Sequence, residues 1–515
     1  MRDFRLKKHL LLIIWLFVVL SFVFKHVNND FFVFWGYGKQ VKLALAHGPN
    51  ALLEVWDVKG MLFRFYVYVE YLITSAFCGD LFTLQAQATY KAIGLAFLLT
   101  LLWVAVKQIP KNFLPKRKNH LYLFFIISIL LLAVQCISHL QAEMLGVFIL
   151  ILATSLSLYD VLLKKIIAGV LVGLLFFLKS PMILMAGSLF FVFILITRKS
   201  LLLAIKSFIP LITATVLTVS VGLLFYHFLY NQELIDIYDV SQYEHTLLES
   251  LTIFGIYNSL CSFFSHLFDN LLLYPVFCLA VIFFIAELIS AIKNGSFRSF
   301  FLYVLILAFP TALIMVSNCF FSYHYYLLAY PSVVIILYSG EKLMANIYFR
   351  KSMYAVSILL FLLFTYLLSA VSPYSIKASE RYQEVLWQNS LKAQKVLAEH
   401  PTSKILYLDS GFAPSVFPTK SYLRYLYPLP IQRFNEQFSE FVNTNTFSSV
   451  KQQILDYDDN IIICDWDWFF TNEHPEIQEK IEKEYVLIDT FYQTEFITEL
   501  VDGCCEYKEM IFAKR

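Results

Sequence analysis

About eleven apolar runs, each approaching the width of a bilayer, follow one another through the first 372 residues, and no soluble fold accommodates such a succession. The first lies in MRDFRLKKHLLLIIWLFVVLSFVF. The others sit near 86–106, 120–138, 144–160, 166–180, 182–197, 207–229, 271–292, 300–317, 326–340 and 353–371. Only 15% of the residues are charged, against about a quarter in soluble domains. The 51 Phe and 32 Tyr suit a chain with much lipid-facing and interfacial surface. The chain therefore reads as a polytopic α-helical membrane protein. No small-x-small cleavage site follows the first run, so it is a retained helix rather than a signal peptide. Arg2, Arg5, Lys7 and Lys8 place its start in the cytoplasm.

The net charge of +2 conceals two regions. Residues 373–515 carry 14 Lys/Arg against 22 Asp/Glu, which leaves 26 against 16 for residues 1–372. The basic excess lies in short loops between apolar runs, which is no nucleic-acid signal. Placing 1–9, 107–119, 160–165, 198–206, 293–299 and 341–352 in the cytoplasm gathers 19 of those 26 cations there. That arrangement requires 61–79, with its Arg64 and Glu70, to lie in, or dip into, the outer interface rather than cross. The two domains are then 1–372 in the membrane and 373–515 outside. The second reads as a small α/β domain: KILYLDSG, NIIICDWDW, YVLIDTF and EMIFAKR look like strands, and 377–399 and EIQEKIEKEY look helical. The expected order is of βαβ units. The origin reads as bacterial from the Lys-, Ile- and Phe-rich usage.

None of the eight Cys shows a CxxC or metal spacing, and GxGxxG, P-loop, GxSxG and HExxH motifs are absent. Asp465 and Asp467 in CDWDW share one strand face, but no third ligand follows at a suitable spacing. Ionisable residues beside spans are costly, and here they gather on the outer side: Asp30, Asp57, Lys59, Arg64, His139, Glu143, Lys179 and His324. A transporter would place such groups near mid-bilayer in broken helices. Asp30, in NNDFFVFWGYG, is either a general base with a raised pKa or the cap of the helix that follows. Lys59 in DVKGMLFRF, Arg64 and Lys179 in FFLKSPMIL either meet a phosphate or snorkel to headgroups. Glu143 in HLQAEML either serves the site or starts a helix. His324 and Tyr325 in SYHYYLLAYPS form either a site or an aromatic belt.

In this order the motifs resemble the GT-C class of membrane glycosyltransferases that use polyprenyl-phosphate sugars, which includes the aminoarabinose and protein O-mannosyl transferases. The family's catalytic loop Asp is matched by Asp30, and its lysine element before an interfacial helix by Lys59. A short outer turn with a Glu matches Glu143, a helix ending in Lys before Pro matches Lys179, and an outer Tyr/His cluster matches His324 and Tyr325. The chain departs from the pattern at Gly60-Met61, where the family carries prolines, and at Asn29 and Phe31, where the acidic partner of the loop Asp is missing. The resemblance implies an inverting transferase in the cell membrane, using a polyprenyl-phosphate-linked sugar donor and a glycan, lipid or protein acceptor. Asp30 is then the general base, and Lys59, Lys179, Arg64 and His324 bind the donor phosphate. Asp57, His139, Glu143 and Tyr325 line the substrate pocket. No cofactor is implied, and metal independence is expected. The other readings are a lipid-linked-glycan polymerase, flippase or transporter, and a non-catalytic scaffold.

Overall fold

The computed structural model describes residues 2–24, 30–46, 61–80, 83–110, 120–132, 141–230, 253–269, 275–316, 322–343, 388–408, 416–417, 419–422, 451–465, 475–493 and 507–515. Helices α1 (Arg2–Phe24), α2 (Asp30–Leu45), α3 (Met61–Cys78), α4 (Leu84–Lys107), α5 (His120–Leu132), α6 (Ala142–Ser157) and α7 (Leu162–Leu178) come first. A 3-10 turn, Ser180–Leu184, leads into α8 (Met185–Thr197), followed by α9 (Leu201–Tyr230), α10 (Ile253–Asp269), α11 (Pro275–Asn294) and α12 (Arg298–Val316). A second 3-10 segment, Ser322–Leu328, runs into α13 (Ala329–Leu343).

Among the described residues, α3, α4, α9, α11 and α12 are long and apolar enough to cross a membrane, and α1, α5, α6 and α8 contribute shorter apolar stretches. The run 353–371 and the boundary between residues 372 and 373 lie outside the described residues. Along α9 the side chains of Leu201, Ile205, Ile209, Ile212 and Val216 are exposed, as lipid contact requires.

Without water to drive them together, helices in lipid associate through close backbone approach. The seam between α7 and α9 shows this. A Cβ on Gly169 would stand 2.3 Å from the Leu211 carbonyl oxygen and 2.7 Å from Ala214 Cβ. The Thr215 hydroxyl donates to the Gly169 carbonyl at 3.0 Å. Because the obstacle is backbone, Gly169→Ala must part the helices. We expect it to cost about 1–3 kcal/mol, read as a lower melting temperature in detergent.

The direction of each helix sorts the bundle into two ends. Tyr71 near the end of α3, with Ala86 and Tyr90 near the start of α4, shares an apolar core with Ile405, Tyr407, Ile461, Ile463 and Ile511 of the C-terminal domain. Helix α4 runs away from that domain, and α5 returns: His120 at its start meets the carbonyl of Ile109, just past the far end of α4. Helix α6 leads away again and α7 comes back. At the far end Lys164 donates to Gln108, while Lys165 and Lys199 both pair with Asp160 at 3.0 Å. These two ammonium groups hold the Asp160 carboxyl below the usual carboxylate range. Arg298 caps the carbonyls of Arg198 and Lys199 at the same end.

The C-terminal part holds helices α14 (388–399), α15 (451–456) and α16 (Pro475–Glu484) around one sheet of order β2-β1-β3-β5-β4. Strands β1 (Lys404–Leu408), β2 (Lys420–Ser421) and β3 (Ile461–Asp465) are mutually parallel, whereas β5 (Tyr507–Lys514) is antiparallel to both its neighbours, β3 and β4 (Tyr485–Gln493). The two faces of β1 and β3 are both apolar. One face meets the bundle, and the other is covered by Ile454, Tyr457, Ile477 and Ile481. This is why these strands read as unbroken apolar runs rather than alternating ones.

Several features add to or depart from the sequence reading. Helix α10 was not anticipated, because Asn258, Ser262, Ser265 and Asp269 interrupt its apolar residues at helical spacing. Helix α9 absorbs 201–206, read above as loop. Helix α3, over the segment read as lying in or dipping into the outer interface, packs between α2 and α4 and against α7, with Arg64 and Glu70 buried. The sheet is also mixed, with its last two strands antiparallel, rather than a set of βαβ units alone.

Candidate active site

Three residues scattered over the sequence meet at the domain end of the bundle. The Lys179 ammonium donates to Glu143 Oε1 at 2.7 Å and lies 2.8 Å from His324 Nε2; Glu143 Oε1 and His324 Nε2 are 3.6 Å apart. Each sits where a helix begins or ends. Glu143 is in the first turn of α6, where the helix dipole favours a carboxylate. Lys179 follows α7 in an extended conformation, φ −162° and ψ 114°, because Pro181 two residues on starts a new turn and cannot continue the helix.

His324 is fixed by its neighbours. The Tyr325 hydroxyl donates to the Phe263 carbonyl of α10, and the Tyr326 hydroxyl donates to the Leu131 carbonyl of α5. The hydroxyl of Tyr330 bonds Thr154 of α6 at 2.7 Å. Three phenols of this stretch, bonded to three different helices, thus pin the segment that carries the imidazole. Since Tyr326 reaches the last turn of α5, and α5 ends toward the C-terminal domain, the cluster belongs to that end. The side chain of Glu143 is fully buried, that of Lys179 is 13% exposed and that of His324 6% exposed.

Lys179 and Glu143 pair charge against charge, and the imidazole nitrogen of His324 closes the cluster beside the ammonium.

Asp30 opens α2, and its side chain is not described. Asp57, Lys59 and His139 lie outside the described residues, as does Asp467. Arg64 is buried on α3, which packs against α7, the helix that ends at Lys179. Tyr325 turns its ring onto Phe263, with centroids 5.3 Å apart, and so faces α10. Among the described residues no group of three or more His, Cys, Asp or Glu is placed to hold a metal ion.

Helices α2 and α3 run side by side in the same direction. Phe34 meets Phe63, Gly38 abuts Tyr71, and Lys42 pairs with Asp80. Burial raises the Asp80 carboxyl, but hydrogen bonds from Lys42 and Tyr71, with the charges of Lys42 and Lys39, more than offset this and hold it below its ordinary value. Burial lowers Lys39 to about 8, against the opposing pull of Asp80.

Sequence reasoning passed over several buried polar groups. Lys91 of α4 is fully buried with its ammonium over the Phe22 ring, 5.9 Å from the centroid. The signal was present, as an ionisable residue inside an apolar run. Glu70, read above only as a charge bearing on the placement of 61–79, is buried against Tyr66 and Tyr90. Lys39 and Gln40 contact the C-terminal domain, and no local pattern in the sequence marks that pairing.

No family model matches the chain, and no curated protein does. Among solved structures, the oligosaccharyltransferase of Archaeoglobus fulgidus in complex with Zn and sulfate is similar: 14% identical, over 93% of this chain and 71% of that one, TM-score 0.45. Its apo form gives 12% identity, 90% and 70% coverage and TM-score 0.45. The archaeal oligosaccharyltransferase AglB from the same organism, in complex with an inhibitory peptide and a dolichol-phosphate, gives 12%, 90%, 70% and 0.43. Likeness at this level assigns no activity to this chain.

Proposed function

We propose that this protein is a membrane glycosyltransferase that moves a sugar from a polyprenyl-phosphate donor to a cell-envelope acceptor, by inverting displacement on the outer face. The observation that carries the reading is the meeting of Lys179, Glu143 and His324 at the bundle end that bears the C-terminal domain. Further support comes from the opposite end, where Lys164, Lys165, Lys199 and Arg298 gather as cytoplasmic loops should.

The chemistry follows from charge. As the bond between the anomeric carbon and the phosphate oxygen breaks, the oxygen takes the electron pair and the leaving phosphate gains negative charge. Lys179 and His324, with Arg64 and Lys59, stabilise that charge. Donors already fixed in a site shielded from water act more strongly than the same groups in solution. Glu143 keeps Lys179 placed before the donor arrives. Asp30 takes the proton of the acceptor hydroxyl as its oxygen attacks the anomeric carbon from the opposite face. Asp57 and His139 belong to the wall around the sugar and acceptor. The lipid tail remains in the bilayer, and the donor suits a compartment that lacks nucleotide sugars.

The test uses purified full-length protein with lipid-phosphate sugars and acceptor-containing membranes, following release of free polyprenyl phosphate. Release that requires both donor and protein is expected. Its absence with folded protein overturns the transferase reading.

A further inference from the structure

Helix α2 is held from two sides. On one it lies along α3. On the other, Gln40 grips the edge strand β2 of the C-terminal domain. The Gln40 amide donates from Nε2 to the Thr419 carbonyl at 3.0 Å and accepts on Oε1 from the Ser421 amide at 2.9 Å. Those two backbone groups, two residues apart, are the ones a neighbouring strand would pair, so one side chain takes the place of a strand along the free edge. The Lys39 ammonium donates to the Val416 carbonyl at 3.1 Å. Trp35, one turn earlier, is fully buried in the core shared with Ile405, Tyr407, Phe417 and Ile461. Gln40 is itself fully buried.

Asp30 begins this same helix, ten residues before Gln40, so the two are joined by a rigid rod of about 15 Å at 1.5 Å per residue. We infer that Gln40 is a positioning residue through which the C-terminal domain sets the placement of α2 and of Asp30 at its start. This rests on the reading of Asp30 as general base. The domain then acts on the chemical step without touching substrate. A general base displaced by an ångström loses much of its effect while donor binding at Lys179 is untouched.

The experiment compares the full chain in nanodiscs as wild type, Gln40→Met, Gln40→Glu and Ile477→Ala. Methionine matches the length of glutamine and offers neither donor nor acceptor. Glutamate keeps the acceptor for Ser421 and loses the donor to Thr419. Ile477 lies under the opposite face of the sheet and tests whether loosening the domain is enough. Two quantities are read: hydrogen exchange over 30–45, and kcat against donor KM.

Gln40→Met is expected to speed exchange there at least tenfold and to lower kcat at least tenfold, with donor KM within threefold. Gln40→Glu should fall between it and wild type. Ile477→Ala should lower the melting temperature with kcat and exchange over 30–45 unchanged. Unaltered exchange in Gln40→Met, or an equal kcat loss in Ile477→Ala, overturns the inference. Asp30→Asn in parallel separates the two claims. If that variant turns over normally, the general-base reading falls, and the exchange data alone decide whether the domain holds α2.

Discussion

Asp30→Asn is expected to lower the rate of sugar transfer by about 10²–10⁴-fold, the usual contribution of a general base, with melting temperature and donor affinity unchanged. The choice of asparagine decides between the two roles that a carboxylate at the start of α2 can have. Asn caps a helix as well as Asp does, so a residue that only caps gives an active and equally stable variant. Asn has no proton-accepting carboxylate at neutral pH, so a base is lost outright. Asp30→Ala removes both roles and adds about 1 kcal/mol of instability from the missing cap. Single-turnover release of polyprenyl phosphate, measured beside thermal melting, separates the outcomes. An Asp30→Asn protein with wild-type turnover would end the general-base assignment.

The second large effect is at Lys179. Lys179→Met leaves Glu143 fully buried with its cation gone, and breaking one side of a buried pair costs about 3–5 kcal/mol. The same substitution removes a donor from the departing phosphate, which costs about 10²–10³-fold in rate. The two losses are separable because they have different causes. Adding Glu143→Gln to Lys179→Met removes the stranded charge, so most of the stability returns. The activity does not, because no cation has been restored. The pair of melting curves and the pair of single-turnover rates are compared directly. If the double variant regains both stability and turnover, Lys179 is a structural partner of Glu143 and plays no part with the donor.

The membrane region was largely legible because its signal is local. An apolar run of spanning length needs no partner elsewhere in the chain to be recognised, and the buried strands β1 and β3 were visible for the same reason. Helix α10 was hidden because serine and asparagine dilute its apolar face. Strand β2 is two residues long, and its pairing with β1 is a tertiary fact. The site was legible only as separate residues. Glu143, Lys179 and His324 each stood out as ionisable groups beside apolar runs, yet each also had an ordinary reading as helix start, snorkelling cation or belt aromatic. What joins them is the antiparallel return of α6 by α7 and the three tyrosine anchors around His324, which link positions up to 195 residues apart. Tyr325 shows the converse. It adjoins His324 in sequence, but the next position of a 3-10 turn points elsewhere, here onto Phe263.

The shared core between helix α2 and the sheet also bears on how the chain is made. Trp35, Tyr71, Ala86 and Tyr90 all leave the ribosome within the first hundred residues, and the strands they pack against come after residue 400. The surface that receives the domain is synthesised long before the domain itself. A fragment beginning near residue 388 would carry the apolar side of β1 and β3 without its cover and the β2 edge without Gln40. Such a fragment is built to self-associate, so a soluble version of this domain calls for the α2 segment to be fused to it.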